Sequence, residues 1–419
     1  MTSPIWHPFT QHGLQEPIPT VVRAEGALLH CADGSTLIDG ISSWWVTTHG
    51  HCHPRIMAAI TQQAQKLDQV IFAGYTHEPA EEVARRVIDI APAGLTRVFF
   101  SDSGSTSVEV ALKMALGYWH NRREPRRRIL VLEHSYHGDT IGTMSVGERG
   151  VFNRPYAPLL FDVGTIPFPT LGREQLALDA LEQACKGDEP PAAFIVEPLI
   201  LGAGGMLIYG PETLKAMREI CARHNVLFIA DEVMTGWGRT GTLFACEQAG
   251  ISPDIMCLSK GLTGGSIPLA VTLANDPIFE AHYSTDRRDL FYHSSSYTAN
   301  PIACAAAAAN LAIWREEDVL GRIAKLSSQM RSLMTRFDDG LHFENSRQIG
   351  AIAALDIKTE RSGYLSDVAP QLRDFFLKRG ILLRPLGNSI YAMPPYAIGE
   401  DSLEILFDAI TEAGQVFVR

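Results

Sequence analysis

Between residues 46 and 315, short apolar runs alternate with stretches of helical period, and this alternation constrains the fold more than any other property of the chain. Val98–Phe100, Ile129–Leu132, Phe194–Val196, Val226–Ala230, Ile255–Leu258 and Leu269–Leu273 are short, mostly apolar and bounded by polar or turn residues. Such runs read as strands buried on both faces. Between them, Ser107–Leu116 puts Val108, Ala111, Leu112 and Ala115 on one helical face. Pro211–His224 opens on a proline suited to a helix start and carries Leu214, Met217, Ile220 and Cys221. The expectation is an α/β domain with a mainly parallel sheet flanked by helices over residues 46–315. A long helical pattern then runs from about Glu316 to Phe337, followed by short strands and two helices with turn signals at Gly340, Gly363 and Gly387. This predicts a smaller α+β domain over residues 316–419, joined by the N-terminal segment 1–45.

A formal net charge of -11 argues against a nucleic-acid or anionic-membrane partner, since both require a positive footprint. The seven cysteines are odd in number and include no CxxC pair, which favours free thiols in a reducing cytoplasm over disulfides. The start of the chain has neither a basic nor an apolar leader region, so no signal peptide is expected. The longest apolar stretch, near Ile302 to Ile313, is alanine-rich, is interrupted by Asn310 and is too short to span a bilayer.

The chemistry concentrates at two strand ends. One apolar run ends at Asp231-Glu232, and a second ends at Ser259-Lys260 followed by glycine. In open α/β sheets the carboxyl ends of strands face the ligand crevice, so a carboxylate and an amine meet there. Pyridoxal 5′-phosphate needs that pair. Its aldehyde needs an amine, Lys260, to hold it as a Schiff base and later to move protons. Its ring nitrogen needs a carboxylate, Asp231, to stay protonated. The phosphate needs backbone donors, and the turn Ser101–Thr106 leading into the helix at Ser107 offers them, with Gly104 permitting close approach. Tyr136 follows the strand Ile129–Leu132 and can stack on the pyridine ring.

Two patterns compete with this reading. Gly236, Gly238 and Gly241 spell the GxGxxG dinucleotide fingerprint, but that fingerprint must follow its strand directly and open a helix, and Asp231–Thr235 intervene. His49, His51, Cys52 and His53 form a dense cluster of metal-ligating residue types. No second cluster has ligand spacing, so no metal is expected.

The segment Asn225–Gly265 resembles the class III (fold type I) pyridoxal-phosphate aminotransferases at nearly every specified position. That resemblance implies Lys260, Asp231 and Tyr136 as catalytic residues and Gly104 and Ser105 as the phosphate cup. It also implies Val233 on the ring face opposite Tyr136, and a glutamate at Glu197. Where the family usually carries a glutamine this chain has Leu201, which cannot donate a hydrogen bond. Four further features are similar to the branch of the family that serves biotin biosynthesis: Trp6-His7-Pro8-Phe9-Thr10, Ser42-Ser43-Trp44-Trp45, His293–Pro301, and Leu383-Arg384-Pro385 with Tyr391–Tyr396. The resemblance implies amination of 8-amino-7-oxononanoate to 7,8-diaminononanoate, with S-adenosylmethionine the usual donor, in a ping-pong exchange through pyridoxamine phosphate. Arg384 suits a substrate carboxylate, and Trp44 a long alkyl chain, with Trp45 beside or behind it. Phe9 stands where relatives often have tyrosine. By the same alignment Ser294 touches substrate and Ser295 and Ser296 touch the cofactor from a partner subunit, which implies a homodimer. The alternatives are another ω-amino-acid aminotransferase and, on the GxGxxG spacing, a nicotinamide-dependent oxidoreductase.

Overall fold

The computed structural model describes residues 3–124, 126–360, 363 and 366–418. Seven strands form the central sheet: β1 (Leu95–Ser101), β2 (Ile129–Leu132), β3 (Gly164–Ile166), β4 (Ala193–Val196), β5 (Leu227–Asp231), β6 (Ile255–Leu258) and β7 (Ala270–Asn275). Their spatial order is β1-β7-β6-β5-β4-β2-β3. β7 runs antiparallel to both of its neighbours, whereas the pairings from β6 through β3 are parallel. The mainly parallel sheet is thus as expected, with one reversed strand inside it.

Apolar runs without alternation fit these strands because both faces are covered. Ile129 and Val131 pack with the helix α1 (Gly104–Asn121) on one side, while Leu130 and Leu132 pack with Leu214 and Met217 on the other. Burying each such side chain contributes roughly 1.5–3 kcal/mol, so these layers hold the strand ends in place. α1 begins at Gly104, three residues before the expected Ser107. Its N-cap is Ser103, in a reciprocal capping arrangement with Thr106 that the small polar run hid. The helix expected over residues 316–337 instead starts at Val319, because Asp318 caps it through Gly321 N, and it ends at Met334 before a short 3-10 turn.

The ends of the chain pair with each other. Val21–Glu25, Leu28–Cys31 and Thr36–Asp39 form a sheet whose fourth strand, Ile381–Leu382, comes from the far end of the sequence. Phe343–Ile349, Ile352–Ile357 and Ser389–Ala392 form a separate antiparallel sheet, packed with the helices Val319–Met334 and Glu400–Phe417. All seven cysteines are free, and of them Cys52 is exposed. No helix among the described residues is long and apolar enough to cross a membrane.

Candidate active site

The carboxyl ends of β1, β2, β4, β5 and β6 open on a cavity of ≈ 390 Å³. Gly104, Ser105, Tyr136, Asp231, Val233 and Lys260 line its floor and walls, and Phe9, Trp44 and Arg384 line its mouth. β5 and β6 are paired in parallel with Asp231 opposite Cys257, so the carboxylate and, just past the end of β6, the lysine leave adjacent strands at the same edge of the sheet.

Lys260 stands at the start of the 3-10 turn Lys260–Thr263 with a left-handed backbone, φ 48°. That conformation costs a non-glycine residue about 1–3 kcal/mol and persists only where the surroundings over-determine it. Withdrawal from water pushes the amine down from its ordinary value to about 8. The Arg239 charge adds to this effect, while Asp231 and Glu197 oppose it. The Lys260 ammonium nitrogen lies 4.7 Å from the centre of the Trp45 ring.

Asp231 is buried and held from two sides. His137 Nδ1 is 2.7 Å from Asp231 Oδ2, and Val233 N donates to Oδ1 at 3.1 Å. Each carboxylate oxygen keeps a free lone pair for a further donor. Glu197, at the end of β4, accepts from Tyr136 N at 3.0 Å and Gly202 N at 2.9 Å. Burial pushes its carboxyl up to about 7; Asp231 reinforces this, and His137 and the two N–H donors oppose it. Burial, with Asp139 adjacent, raises the Tyr136 phenol far above its ordinary value.

Since α1 starts at Gly104, Gly104 and Ser105 are its first two residues, whose N–H groups have no intrahelical acceptor. Such a helix start suits an anion by geometry and dipole. Gly138 closes in on the same turn with φ +131°, and a Cβ there would fall 2.1 Å from Ser105 Oγ. Only glycine lets the two loops approach this closely.

The mouth is aromatic. Phe9 meets Trp44 edge-on at 5.6 Å and Phe152 at 6.0 Å. The Arg384 guanidinium lies 5.1 Å from the Trp44 ring centre and donates to Phe9 O at 3.2 Å. Trp45 also lines the cavity, so both tryptophans of the pair reach it. They sit on a strained turn, because Ser42, Ser43 and Trp45 all have φ between 55° and 66°. The turn is pinned from below. Asp39 accepts from Ile41 N and Ser43 N, and His51 Nε2 is 2.7 Å from the same carboxylate. Ser42 Oγ donates to Met393 O at 2.7 Å, and Trp45 Nε1 donates to Tyr391 OH at 2.9 Å. Arg239 is buried and donates to the carbonyls of Trp45, Thr47 and Pro394.

Not every expected residue gathers here. Ser294, Ser295 and Ser296 do not line the cavity of their own chain, and Ser294 and Ser296 are exposed. Leu201 is fully buried in the apolar layer beneath β4, away from the cavity lining. The GxGxxG glycines lie in turns after β5 that lead only to the short helix Cys246–Ala249. Within HGHCHP, His49 and His51 serve different side chains, Asn310 and Asp39. Sequence reasoning missed His137, Phe152, Met234 and Tyr391. Of these, His137 carried a local signal as the neighbour of Tyr136, and Tyr391 as the first residue of the segment Tyr391–Tyr396.

The class III aminotransferase family model matches residues 10–413. The chain is 47% identical over 417 residues to the adenosylmethionine-8-amino-7-oxononanoate aminotransferase of Synechococcus elongatus, covering 97% of each protein. It is 38% identical over 417 residues to the enzyme of the same name from Mycobacterium leprae, covering 97% of this chain and 94% of that one. Among solved structures, the adenosylmethionine-8-amino-7-oxononanoate aminotransferase of Methanocaldococcus jannaschii superposes with a TM-score of 0.94 at 33% identity, covering 98% of this chain and 97% of that one. A pyridoxal-phosphate-bound amine transaminase from an uncultivated Pseudomonas species superposes with a TM-score of 0.93 at 31% identity, covering 99% of each. With its strand-end lysine and carboxylate in one cavity, this chain belongs to the class III aminotransferases and is a pyridoxal-phosphate-dependent transaminase.

Proposed function

We propose that the chain aminates 8-amino-7-oxononanoate to 7,8-diaminononanoate in biotin biosynthesis, with S-adenosyl-L-methionine as the amino donor. The observation that carries this reading is Arg384 stacked over Trp44 at the mouth of a cavity whose floor holds Lys260 and Asp231. A keto acid with a long alkyl chain needs a carboxylate clamp, an apolar wall and a reacting centre set deeper, in that order. The names of the relatives point to the same substrate.

The residues present fit pyridoxal phosphate. An amine, a buried carboxylate and a helix start with two free N–H groups face one cavity, matching the cofactor's aldehyde, ring nitrogen and phosphate. When bound, the cofactor supplies an aldehyde carbon that condenses with amines and a ring that takes up the electron pair left by a departing Cα proton. In this reading Lys260 is the residue that would hold the cofactor through its aldehyde, and its Nζ would be the base placed to take up and return the substrate's Cα proton. With its proton affinity already lowered to about 8, the amine accepts and releases that proton near neutral pH. Asp231, held by His137 and Val233 N, would keep a proton on the ring nitrogen. The N–H groups of Gly104 and Ser105 would hold the phosphate, and Tyr136 and Val233 would flank the ring. Arg384 binds the substrate carboxylate, while Trp44 and Phe9 cover its alkyl chain and exclude water. The same proton path run in reverse on the ketone completes a ping-pong cycle.

A homodimer in the cytoplasm is part of this proposal. The loop Ser294–Ser296, with Ser294 and Ser296 exposed, lies outside its own chain's cavity, which supports a role in the partner's site. The free thiols support a reducing compartment.

Half-reactions test the function. S-adenosylmethionine mixed with cofactor-loaded enzyme should bleach the visible band, and 8-amino-7-oxononanoate should then restore it. Bleaching by lysine but not by S-adenosylmethionine overturns the donor assignment. Failure of the keto acid to restore the band overturns the acceptor assignment.

A further inference from the structure

Asn310 sits among alanines in the helix α2 (Pro301–Glu316) and is fully buried. A primary amide there must find partners within the protein. Its Nδ2 donates to Gly261 O and to Leu262 O, both at 3.0 Å. Its Oδ1 lies 2.9 Å from His49 Nε2. An amide oxygen only accepts, so His49 donates from Nε2. Burial holds the His49 imidazole down at about 4, which keeps the ring neutral across the working pH range. The pair therefore presents fixed donors rather than a titrating charge.

Gly261 and Leu262 directly follow Lys260 in its 3-10 turn. Besides Asn310, Gly261 O accepts from Gly264 N at 3.0 Å, and Thr48 N donates to Gly264 O at 3.4 Å. All the side-chain hydrogen-bonding capacity that Asn310 uses goes to this turn and to His49. A volume-filling role would need none of it, since leucine has nearly the same shape. The left-handed backbone of Lys260 needs external restraint, and these bonds hold the Gly261–Leu262 and Leu262–Thr263 peptide units, which begin one residue beyond it.

We propose that Asn310, oriented by His49, is a positioning residue for Lys260: its amide clamps the Gly261 and Leu262 carbonyls of the turn that Lys260 opens and so restrains the backbone from which the side chain enters the cavity. This rests on Lys260 being the reactive amine. Releasing the clamp lets the turn relax and swings the Lys260 Cα–Cβ bond away from its direction, while Arg384, Trp44 and the phosphate site stay in place.

The test uses cofactor-loaded His49→Leu, His49→Gln and Asn310→Leu enzymes. For each, kcat and both KM values are measured, along with the melting temperature. The pH midpoint of the visible band, which follows the proton at the Lys260 nitrogen, is measured as well. His49→Leu and Asn310→Leu should lower kcat by at least about tenfold, with KM values within about twofold, and displace the band midpoint. His49→Gln keeps a donor at similar reach and should restore most of kcat and the wild-type midpoint. Equal loss in His49→Gln and His49→Leu overturns the proposal, as does a lowered melting temperature with kcat and midpoint unchanged. If Asn310→Leu does not fold, the two His49 variants decide. Lys260→Ala, measured alongside, separates the two failures. Sustained turnover by Lys260→Ala removes the lysine assignment itself. An inactive Lys260→Ala beside a normal His49→Leu removes only the clamp.

Discussion

Replacing Arg384 with alanine should weaken binding of the keto acid about thirty-fold without loss of cofactor. The guanidinium gives one N–H to Phe9 O and keeps the others for a ligand. A charge-assisted hydrogen bond contributes about 1.5–3 kcal/mol, and a carboxylate can take two in parallel. Arg384 is half-buried at the cavity mouth, so solvent screening favours the low end and leaves about 2 kcal/mol for the pair. At about 1.4 kcal/mol per factor of ten, this gives the thirty-fold figure. Arg384→Lys keeps the charge but not the parallel bonds and should lose about fivefold. Arg384→Met keeps bulk over Trp44 without the charge and should behave like the alanine variant for the carboxylate. The assay is steady-state turnover with 8-amino-7-oxononanoate varied, together with the visible spectrum of the resting enzyme. A rise in KM with kcat and spectrum preserved is expected. A fall in kcat at unchanged KM, or loss of the visible band, refutes the carboxylate assignment and makes Arg384 structural.

The lysine value of about 8 has a direct consequence, since only the neutral amine condenses with an aldehyde. Capture of pyridoxal phosphate by enzyme stripped of it should rise with pH through a midpoint near 8, and a midpoint near 10.5 refutes the shift. Because the folded value lies below the unfolded one, this lysine adds stability as pH climbs from about 8 to 10.5 and adds no further stability below that window. Tyr391→Phe removes the acceptor of Trp45 Nε1 and should cost about 1–3 kcal/mol in urea unfolding; an unchanged midpoint refutes the importance of that bond. Hybrid dimers test the shared site. Mixing Lys260→Ala with Ser296→Asp chains should recover about a quarter of wild-type activity, because half the dimers carry one intact site of two. No recovery above the parents places the Ser296 loop in its own chain's site.

What the sequence made legible follows from the range of the interactions involved. Ile129–Leu132 and Ile255–Leu258 match their strands residue for residue, because a short apolar run between polar neighbours has few other uses. Gly164–Ile166 escaped notice, since three residues beginning with glycine carry no pattern. The start of α1 was obscured by Gly104, Ser105 and Thr106, which favour turns until Ser103 and Thr106 cap each other. Lys260 and Asp231 were visible because strand ends are local features. His137 and Asp231 are 94 positions apart and Asn310 and His49 are 261 apart, so only the folded chain joins them.

The buried Arg239 gives the glycines around it a different meaning. Its guanidinium binds three backbone carbonyls on segments that meet behind the tryptophan wall, so the loop that delivers it must run close against neighbouring chain. A Cβ on Gly238 would stand 2.3 Å from Ile323 Cδ1 and 2.9 Å from Trp314 Cη2, at a φ of +86°. The middle glycine of the spacing that imitates a nucleotide fingerprint is therefore required by crowding beside a deeply set cation, and the third, Gly241, by its φ of +105°. Here Gly238 lets the loop carrying the protein's own arginine pass against Ile323 and Trp314. A pattern search that scores glycines alone will confuse this loop with a nucleotide fingerprint, and the arginine after the second glycine is the feature that separates them.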